Sequence, residues 1–570
     1  MRQYECFELT YPGPEPEGSW ARVDLRAEFV CEGEIRRVEG FYAGKGIYKV
    51  RFYPDRAGCY HWKVTGAVSA QGEEMCMAAK DSRGEEMCRT TDSARGEEAY
   101  RTADSARGEG TYRTAGSARS GEMRCPAEAA HGMVRAAGKH FRYDDGSWYR
   151  PFGTTVYALV HQEKALVDTT METLRGAPFN KVRFCVFPKH YDFNHNEPPC
   201  FPFERKEGGW DVHRPDFAYW DALEARIREL DAMGIQGDLI LFHPYDRWGF
   251  SELGKEDSLV YLDYLLRRFS AMPNLWWSLA NEYDLMPGYS CRDWEDFAGF
   301  VAEHDPYGHC LSNHNCMAYW DFSRKEITHC SIQDTNVSEV PELWEQYGKP
   351  VVFDECRYEG NIIHSWGNLS AREMTRRFWT ATCCGGYCTH GETYYSEDEV
   401  LWWAKGGTLK GESPARIAFL REIVESLPGP LDFMGEGLGA YTEGCLRTMQ
   451  EQGPSEEFRA SSFLMAMLEL PRERLRPFVV KERVALGHYG QEAYLKYLER
   501  QSASVTELNL PQDGSYRVEV IDTWNMTRTV AAENVRGKVQ VKLPGREDMA
   551  VLALKQSAMV NDIQNRRTLQ

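Results

Sequence analysis

Short runs that alternate apolar and polar residues at both ends of the chain, and eight apolar runs interleaved with helical patterns between them, predict an α/β protein. The predicted architecture is a central (β/α)8 TIM barrel flanked by N-terminal and C-terminal antiparallel β-sandwich domains. Eight strand candidates within about 290 residues have the length and alternation of such a barrel. A doubly wound open sheet is the runner-up, but no glycine-rich phosphate turn follows any of the runs.

The N-terminal sandwich is placed at residues 1–135. There "ARVDLRAEFVCEGEIRRVEGFYAGKGIYKVRFYPDRAGCYHWKVTG" breaks into short alternating strands at Gly, Pro and Asp. A repeat interrupts it at about 70–122, with "QGEEMC", "RGEEMC", "RGEEAY" and "RGEGTY" placing Gly72, Gly84, Gly96 and Gly108 at intervals of 12. Each unit carries only one to three Met, Cys or Tyr residues to bury, too little to offset ordering entropy. The expectation is an inserted flexible loop, with paired short strands as the alternative. The strand register is expected to resume in "AAHGMVRAAGKHFRYDDGSWYRPFG".

The barrel is placed at 136–434. Its strand candidates are "RPFGTTVYAL", "NKVRFCVF", "IQGDLILFHP", "NLWWSLANE", "HCLSNHN", "ITHCSIQD", "PVVFDEC" and "GGYCTHGE". Between the second and third, Trp220, Leu223, Ile227 and Leu230 recur at helical spacing and Gly234 stops the helix. Leu262, Leu265, Leu266 and Phe269 mark a further helix. From 435 to 570 strands return, separated by turns such as "PQDGS", as a C-terminal sandwich.

Composition narrows the function. A net charge of −19, from 67 basic and 86 acidic residues, argues against nucleic acid or an anionic membrane as partner, since both select basic faces. A neutral partner is easier to accommodate, and a homo-oligomer is compatible with the sequence. "MRQYECFELTY" has no signal-peptide core and no window is apolar enough to span a bilayer, so a cytoplasmic location is expected. The 17 cysteines are odd in number and scattered through apolar runs, as reduced core thiols are. "CCGGYC" (Cys383, Cys384, Cys388) lacks a partner pair or a His at finger spacing, and is read as small hydrophobes on a helix end and a strand.

Barrel chemistry sits at the C-terminal ends of the strands. The polar residues there are Arg183 on strand two, His243 on three, Asn281 and Glu282 on four, His314 on five, Gln333 on six, Asp354 and Glu355 on seven, and His390 and Glu392 on eight. Such a cup suits a hydroxyl-rich ligand. Glu282 and Glu355, on opposing strands four and seven, have the opposition that glycoside hydrolysis needs. Glu282, after Trp276, Trp277 and Leu279, fits the acid, whose pKa must be raised. Glu355, with Arg183 and Arg357 near, fits the nucleophile, which must stay ionised. Asn281 is assigned to the sugar 2-hydroxyl. No cofactor is called for, and the three histidines come from separate strands without a His-x-His on the first, so no metal is expected.

"LANE" and "VVFDE" resemble the acid/base and nucleophile motifs of clan A glycoside hydrolases. More narrowly, "RYDDGSWYRPFGTTVYAL", "SLANEYD" and "PVVFDECRYEG" are similar to the apiosidase-like glycoside hydrolases, and residues 20–68 look like the sandwich often found ahead of such barrels. The resemblance implies a retaining enzyme with Glu282 as acid/base, Glu355 as nucleophile, and Tyr358-Glu359-Gly360 in the site-forming loop. Two features depart from the clan pattern. Strand six ends in "SIQDTN" without the tyrosine that usually holds the nucleophile, so Gln333 or Tyr358 would substitute. Strand eight lacks the usual Trp, which leaves Trp366, Tyr394 or Trp248 as the apolar platform. The expected activity is hydrolysis of an oligosaccharide or glycoside, exo-acting because "NHNEPPCFPFERKEGGW" can wall one end of the site. A catalytically silent carbohydrate binder on the same scaffold is the alternative.

Overall fold

A computed structural model describes residues 1–79, 130–435 and 483–556, with individual positions between 452 and 474. Its centre is a nearly closed barrel of eight parallel strands: β1 (Gly153–Thr155), β2 (Lys181–Cys185), β3 (Gln236–Phe242), β4 (Leu275–Ala280), β5 (Cys310–Ser312), β6 (Cys330–Gln333), β7 (Val351–Glu355) and β8 (Tyr387–His390). They are hydrogen-bonded in the order β5-β4-β3-β2-β1-β8-β7-β6, and one isolated bridge, His314 to Ser331, spans the gap between β5 and β6. All residues of β2, β3, β4 and β7 are buried, which is why these strands read as unbroken runs and not as alternations.

Helices α1 (Lys164–Gly176), α2 (Phe217–Ala232), α3 (Lys255–Phe269), α4 (Cys291–His304), α5 (Val340–Tyr347), α6 (Ala371–Cys383), α7 (Trp402–Lys405) and α8 (Ser413–Glu425) surround the strands. Helix α2 buries Trp220, Leu223, Ile227 and Leu230 as the spacing predicts; Asp216 caps its start and Gly234 follows its end at φ 71°. Residues 313–329, between β5 and β6, form no helix.

The N-terminal domain packs two antiparallel sheets. One has the order Phe7–Pro12, Ile47–Phe52, Phe41–Tyr42, and the other Glu34–Glu39, Leu25–Cys31, Gly58–Gly66, Ala70–Cys76. The last strand corrects the expected start of the insert. "QGEEMC", read as its first unit, pairs along Gly58–Gly66, with Glu73 opposite His61 and Met75 opposite Cys59. Burial falls on alternate residues and the other face is exposed, so a polar composition suffices for this edge strand. The remaining units fall in 80–129, outside the described residues.

A second correction concerns residues 134–149. They join neither sheet of the sandwich but form a separate one (Val134–Ala137, His140–Tyr143, Trp148–Tyr149) across the barrel floor. There Phe141 lies 4.8 Å from Trp276 and 5.8 Å from Tyr387, ring to ring. Residues on either side of the 80–129 stretch are tied to the N-terminus: Gln3 bonds Met77 and Ala79, and Tyr4 reaches the carbonyl of Asp144, beyond the first two strands of the floor sheet.

Six strands, Asp432–Phe433, Ala485–Tyr489, Ala493–Tyr497, Met549–Lys555, Tyr516–Asp522 and Thr527–Val535, make the main C-terminal sheet, beside the pair Val505–Asn509 and Lys538–Lys542. Two arginines, Arg51 buried and Arg376 partly buried, join the flanking domains to the barrel. Arg51 donates to the carbonyl of Arg268 at 2.6 Å and pairs with Glu224 at 2.6 Å, and Arg376 on α6 pairs with Asp548 at 2.7 Å.

Candidate active site

The strands of a barrel are rigid and the loops after them are not, so the site is assembled where each strand runs out. Strand β4 ends at Ala280, and Glu282 then takes a left-handed backbone (φ 55°, ψ 57°) that few non-glycine residues adopt. Strand β7 ends in Glu355, where the β6–β7 register shifts so that Gln333 pairs with Glu355. Such irregularities re-aim side chains at strand ends. Both carboxylates line one pocket of about 470 Å³ at the barrel mouth.

Each carboxylate is held by its own tyrosine. The Tyr157 hydroxyl, just past β1, donates to Glu355 and lies 3.1 Å from Asn281 Oδ1. The Tyr245 hydroxyl, just past β3, donates to Glu282 Oε2, which also accepts from Asn281 Nδ2 at 3.2 Å. Burial and the Glu282 charge push Glu355 up to about 7, opposed by Arg183, the Tyr157 hydroxyl and Lys189. Burial and the same glutamate push the nearby Cys316 thiol up to about 12.

Six of the sequence-predicted residues come together in the pocket wall: Glu282, Glu355, Asn281, Gln333, Tyr358 and Trp366. The others lie elsewhere. Arg183 is fully buried inside the barrel, 3.5 Å from Asp238 and 3.8 Å from Glu355, and so backs the site without lining it. His243 is turned to the Phe187 carbonyl at 3.0 Å, and burial pulls its pKa down to about 4. His314 is fully buried beside Arg183 and kept neutral by burial and that charge. His390 bonds Thr154 at 3.2 Å and stacks on Phe179 at 4.9 Å.

Glu392 is a loop clamp. It accepts from the backbone of Lys410 and Gly411, while Glu359, its partner in register, accepts from Glu412 and Ser413 at the start of α8. Tyr394 bonds Glu359, and Trp248 bonds Glu197. The apolar platform is instead Trp366 with Trp403, centroids 4.9 Å apart. The apolar neighbours expected for Glu282 are also displaced: Trp276 packs on the barrel floor and Trp277 faces out to Asp305 at 3.0 Å.

Sequence reasoning missed Tyr157, Lys189, Tyr191, Tyr245, Cys316 and Trp403 in the wall. The signal was present in part, since Tyr157, Lys189 and Tyr245 stand two to four residues beyond their strands. Tyr157 also fills the place of the tyrosine absent after strand six, a role expected of Gln333 or Tyr358; the Tyr358 hydroxyl lies 3.4 Å from that of Tyr157. Among the described residues the one cluster with metal-ligand spacing, Cys59, His61 and Glu73, is on the N-terminal sandwich, away from this pocket.

Comparison with known proteins agrees with this fold. The family model described as apiosidase-like, catalytic domain matches residues 135–428, and two domains of unknown function, DUF5060 and DUF5605, match residues 1–67 and 483–553. A crystal structure from Bacteroides vulgatus ATCC 8482, described as a candidate glycoside hydrolase, is 31% identical with a TM-score of 0.75, over 97% of this chain and 99% of that one. A glycoside hydrolase family 5 structure from the same organism shares the fold at 14% identity and a TM-score of 0.54, over 75% of this chain and 94% of that one. No curated protein matches.

Proposed function

The chain belongs to the apiosidase-like glycoside hydrolases, and on that premise we propose that it is a retaining, exo-acting glycosidase with Glu282 as acid/base and Glu355 as nucleophile. The observation that carries this reading is the convergence of two carboxylates, from the ends of β4 and β7, on one pocket, each held by a separate tyrosine hydroxyl.

In this reading the working state carries one proton on the pair. Glu282 gives it to the leaving oxygen as Glu355 attacks the anomeric carbon, and then takes a proton from the water that hydrolyses the glycosyl ester. Protonating Glu282 removes the like charge that raises Glu355, so the nucleophile ionises more readily when the acid is loaded. Arg183 and Tyr157 stabilise the carboxylate that departs from the ester. Asn281, between the two glutamates, is assigned to the 2-hydroxyl, and Trp366 with Trp403 to an apolar face of the sugar. The loop after β2 carries Lys189 and Tyr191 into the wall, which supports a pocket closed for exo action.

The test is a panel of aryl furanosides and pyranosides of both anomers, given to the wild type and to Glu355→Ala. Wild-type turnover that falls at least about a thousandfold in the variant, and returns with azide as a glycosyl azide of inverted anomer, is the expected result. Product anomers that invert relative to substrate would remove the nucleophile role. Release of internal fragments from an oligosaccharide would replace exo with endo action.

A further inference from the structure

Lys189 is a charged side chain in the pocket wall that the proposed chemistry leaves without a task. Only 5% of it is exposed, and Asn194 fixes its backbone through a 2.6 Å bond to the Lys189 carbonyl. Its ammonium makes no hydrogen bond and no ion pair among the described residues. It sits over aromatic faces instead: 3.6 Å from the Tyr157 ring centroid, 4.3 Å from Tyr245, 4.9 Å from Trp403 and 5.6 Å from Tyr191. The two nearest rings are those whose hydroxyls grip Glu355 and Glu282.

A cation over a phenol ring draws electron density from it and makes the hydroxyl a stronger donor. One ammonium therefore reaches both carboxylates, each through its own tyrosine. Resting on the assignment of Glu282 and Glu355 above, we propose that Lys189 is a positioning residue, the shared counter-ion of the pair, which keeps one carboxyl ionised while the other holds its proton.

The charges around it support this. Between them the barrel interior and the pocket wall bury four carboxyl groups, Asp238, Asp354, Glu282 and Glu355, and three cations, Lys181, Arg183 and Lys189. With one proton on the glutamate pair the charges balance, and only with Lys189 charged. The same wall also carries one further acid and one further base, Asp334 and Arg357, whose formal charges cancel, and the remaining titratable groups facing Lys189 or the pair are neutral near pH 7. Burial raises the thiols of Cys185 and Cys316 to about 12, lowers His243 to about 4, and raises the phenols of Tyr157, Tyr191, Tyr245 and Tyr358. Burial also lowers Lys189 itself, opposed by Cys185, Glu282 and Glu355.

The test uses the full chain as Lys189→Met and Lys189→Arg, with folding followed by circular dichroism and melting temperature. The substrate is a dinitrophenyl glycoside of a sugar the wild type cleaves, whose leaving group needs no acid, so that kcat/KM reports ionisation of the nucleophile. In Lys189→Met the acidic limb moves up by about one pH unit, with a loss of about tenfold on that limb that shrinks as pH rises. Lys189→Arg holds the limb near its wild-type position whatever it does to the rate. A loss equal at every pH, or an unmoved limb in a folded Lys189→Met, overturns the proposal. If the wild type cleaves no glycoside, it is the hydrolase mechanism that fails, and the counter-ion is read separately from carboxyl carbon-13 titration of glutamate-labelled protein. A raised apparent pKa for the pair in Lys189→Met supports it, and an unchanged one removes it.

Discussion

The barrel interior and the barrel mouth each hold a pair of buried acids and treat them in opposite ways. In the interior Lys181 lies 2.5 Å from Asp238 and 2.7 Å from Asp354, which also accepts from Ser331 and Thr389. Against the burial that would raise it, Lys181 and Arg183 hold Asp354 far below the carboxylate range. One residue further along β7, Glu355 has a tyrosine hydroxyl, an arginine at 3.8 Å and another glutamate for company, and is pushed up to about 7. Two direct cations and two hydroxyl donors hold Asp354 ionised and make it scaffold, while burial and the Asp354 charge raise Asp238 beside the same lysine. Neutral donors hold a carboxylate's geometry but leave its proton free to move, which is what acid–base and nucleophilic work require.

Breaking the interior should have the largest effect. Lys181→Met leaves Asp238 and Asp354 buried with less compensation and is expected to cost about 3 to 5 kcal/mol, read as lost soluble protein or a lower denaturant midpoint. Adding Asp354→Asn should recover part of it, and a single variant as stable as wild type would mean that the interior charges are not coupled as drawn. At the mouth the fold should survive and the rate should not. Tyr157→Phe removes the donor on Glu355 and should lower kcat/KM by about 10- to 100-fold with little change in melting temperature. An equal loss of stability and rate would make Tyr157 part of the scaffold.

The smallest effect sharpens the contrast most. Glu355 has its folded pKa raised from 4.5 to about 7, so the native state keeps a proton that the unfolded chain has lost between those values. Stability therefore falls as pH rises through that window. Glu355→Gln should escape the loss and be more stable than wild type by about 1 to 3 kcal/mol at pH 8, with little difference at pH 4, in paired denaturant melts. Wild-type activity should likewise decline as pH rises through about 7, when the pair gives up its last proton.

The barrel was legible because strands buried on both faces read as apolar runs, and all eight quoted runs contain a strand. Glu282 and Glu355 were legible because a carboxylate ending such a run has few other reasons to be there. The histidines were misjudged because position at a strand end does not tell which way a side chain turns: His243 and His390 face backbone or neighbouring side chains instead of the pocket. Lys189, Tyr157 and Tyr245 come from three loops far apart in sequence, and only closure of the sheet makes them neighbours. Ala70–Cys76 reads as insert from its composition because an edge strand needs only half its residues to face inward.

The ties at Gln3 and Tyr4 bear on the repeat that the sequence places between them. Ala79 and Asp144 are both fastened to these two neighbouring residues, so the points that the intervening chain must join are set by the N-terminus. Their separation is therefore independent of how many 12-residue units the chain carries there, and copy number at this site can vary without moving either anchor.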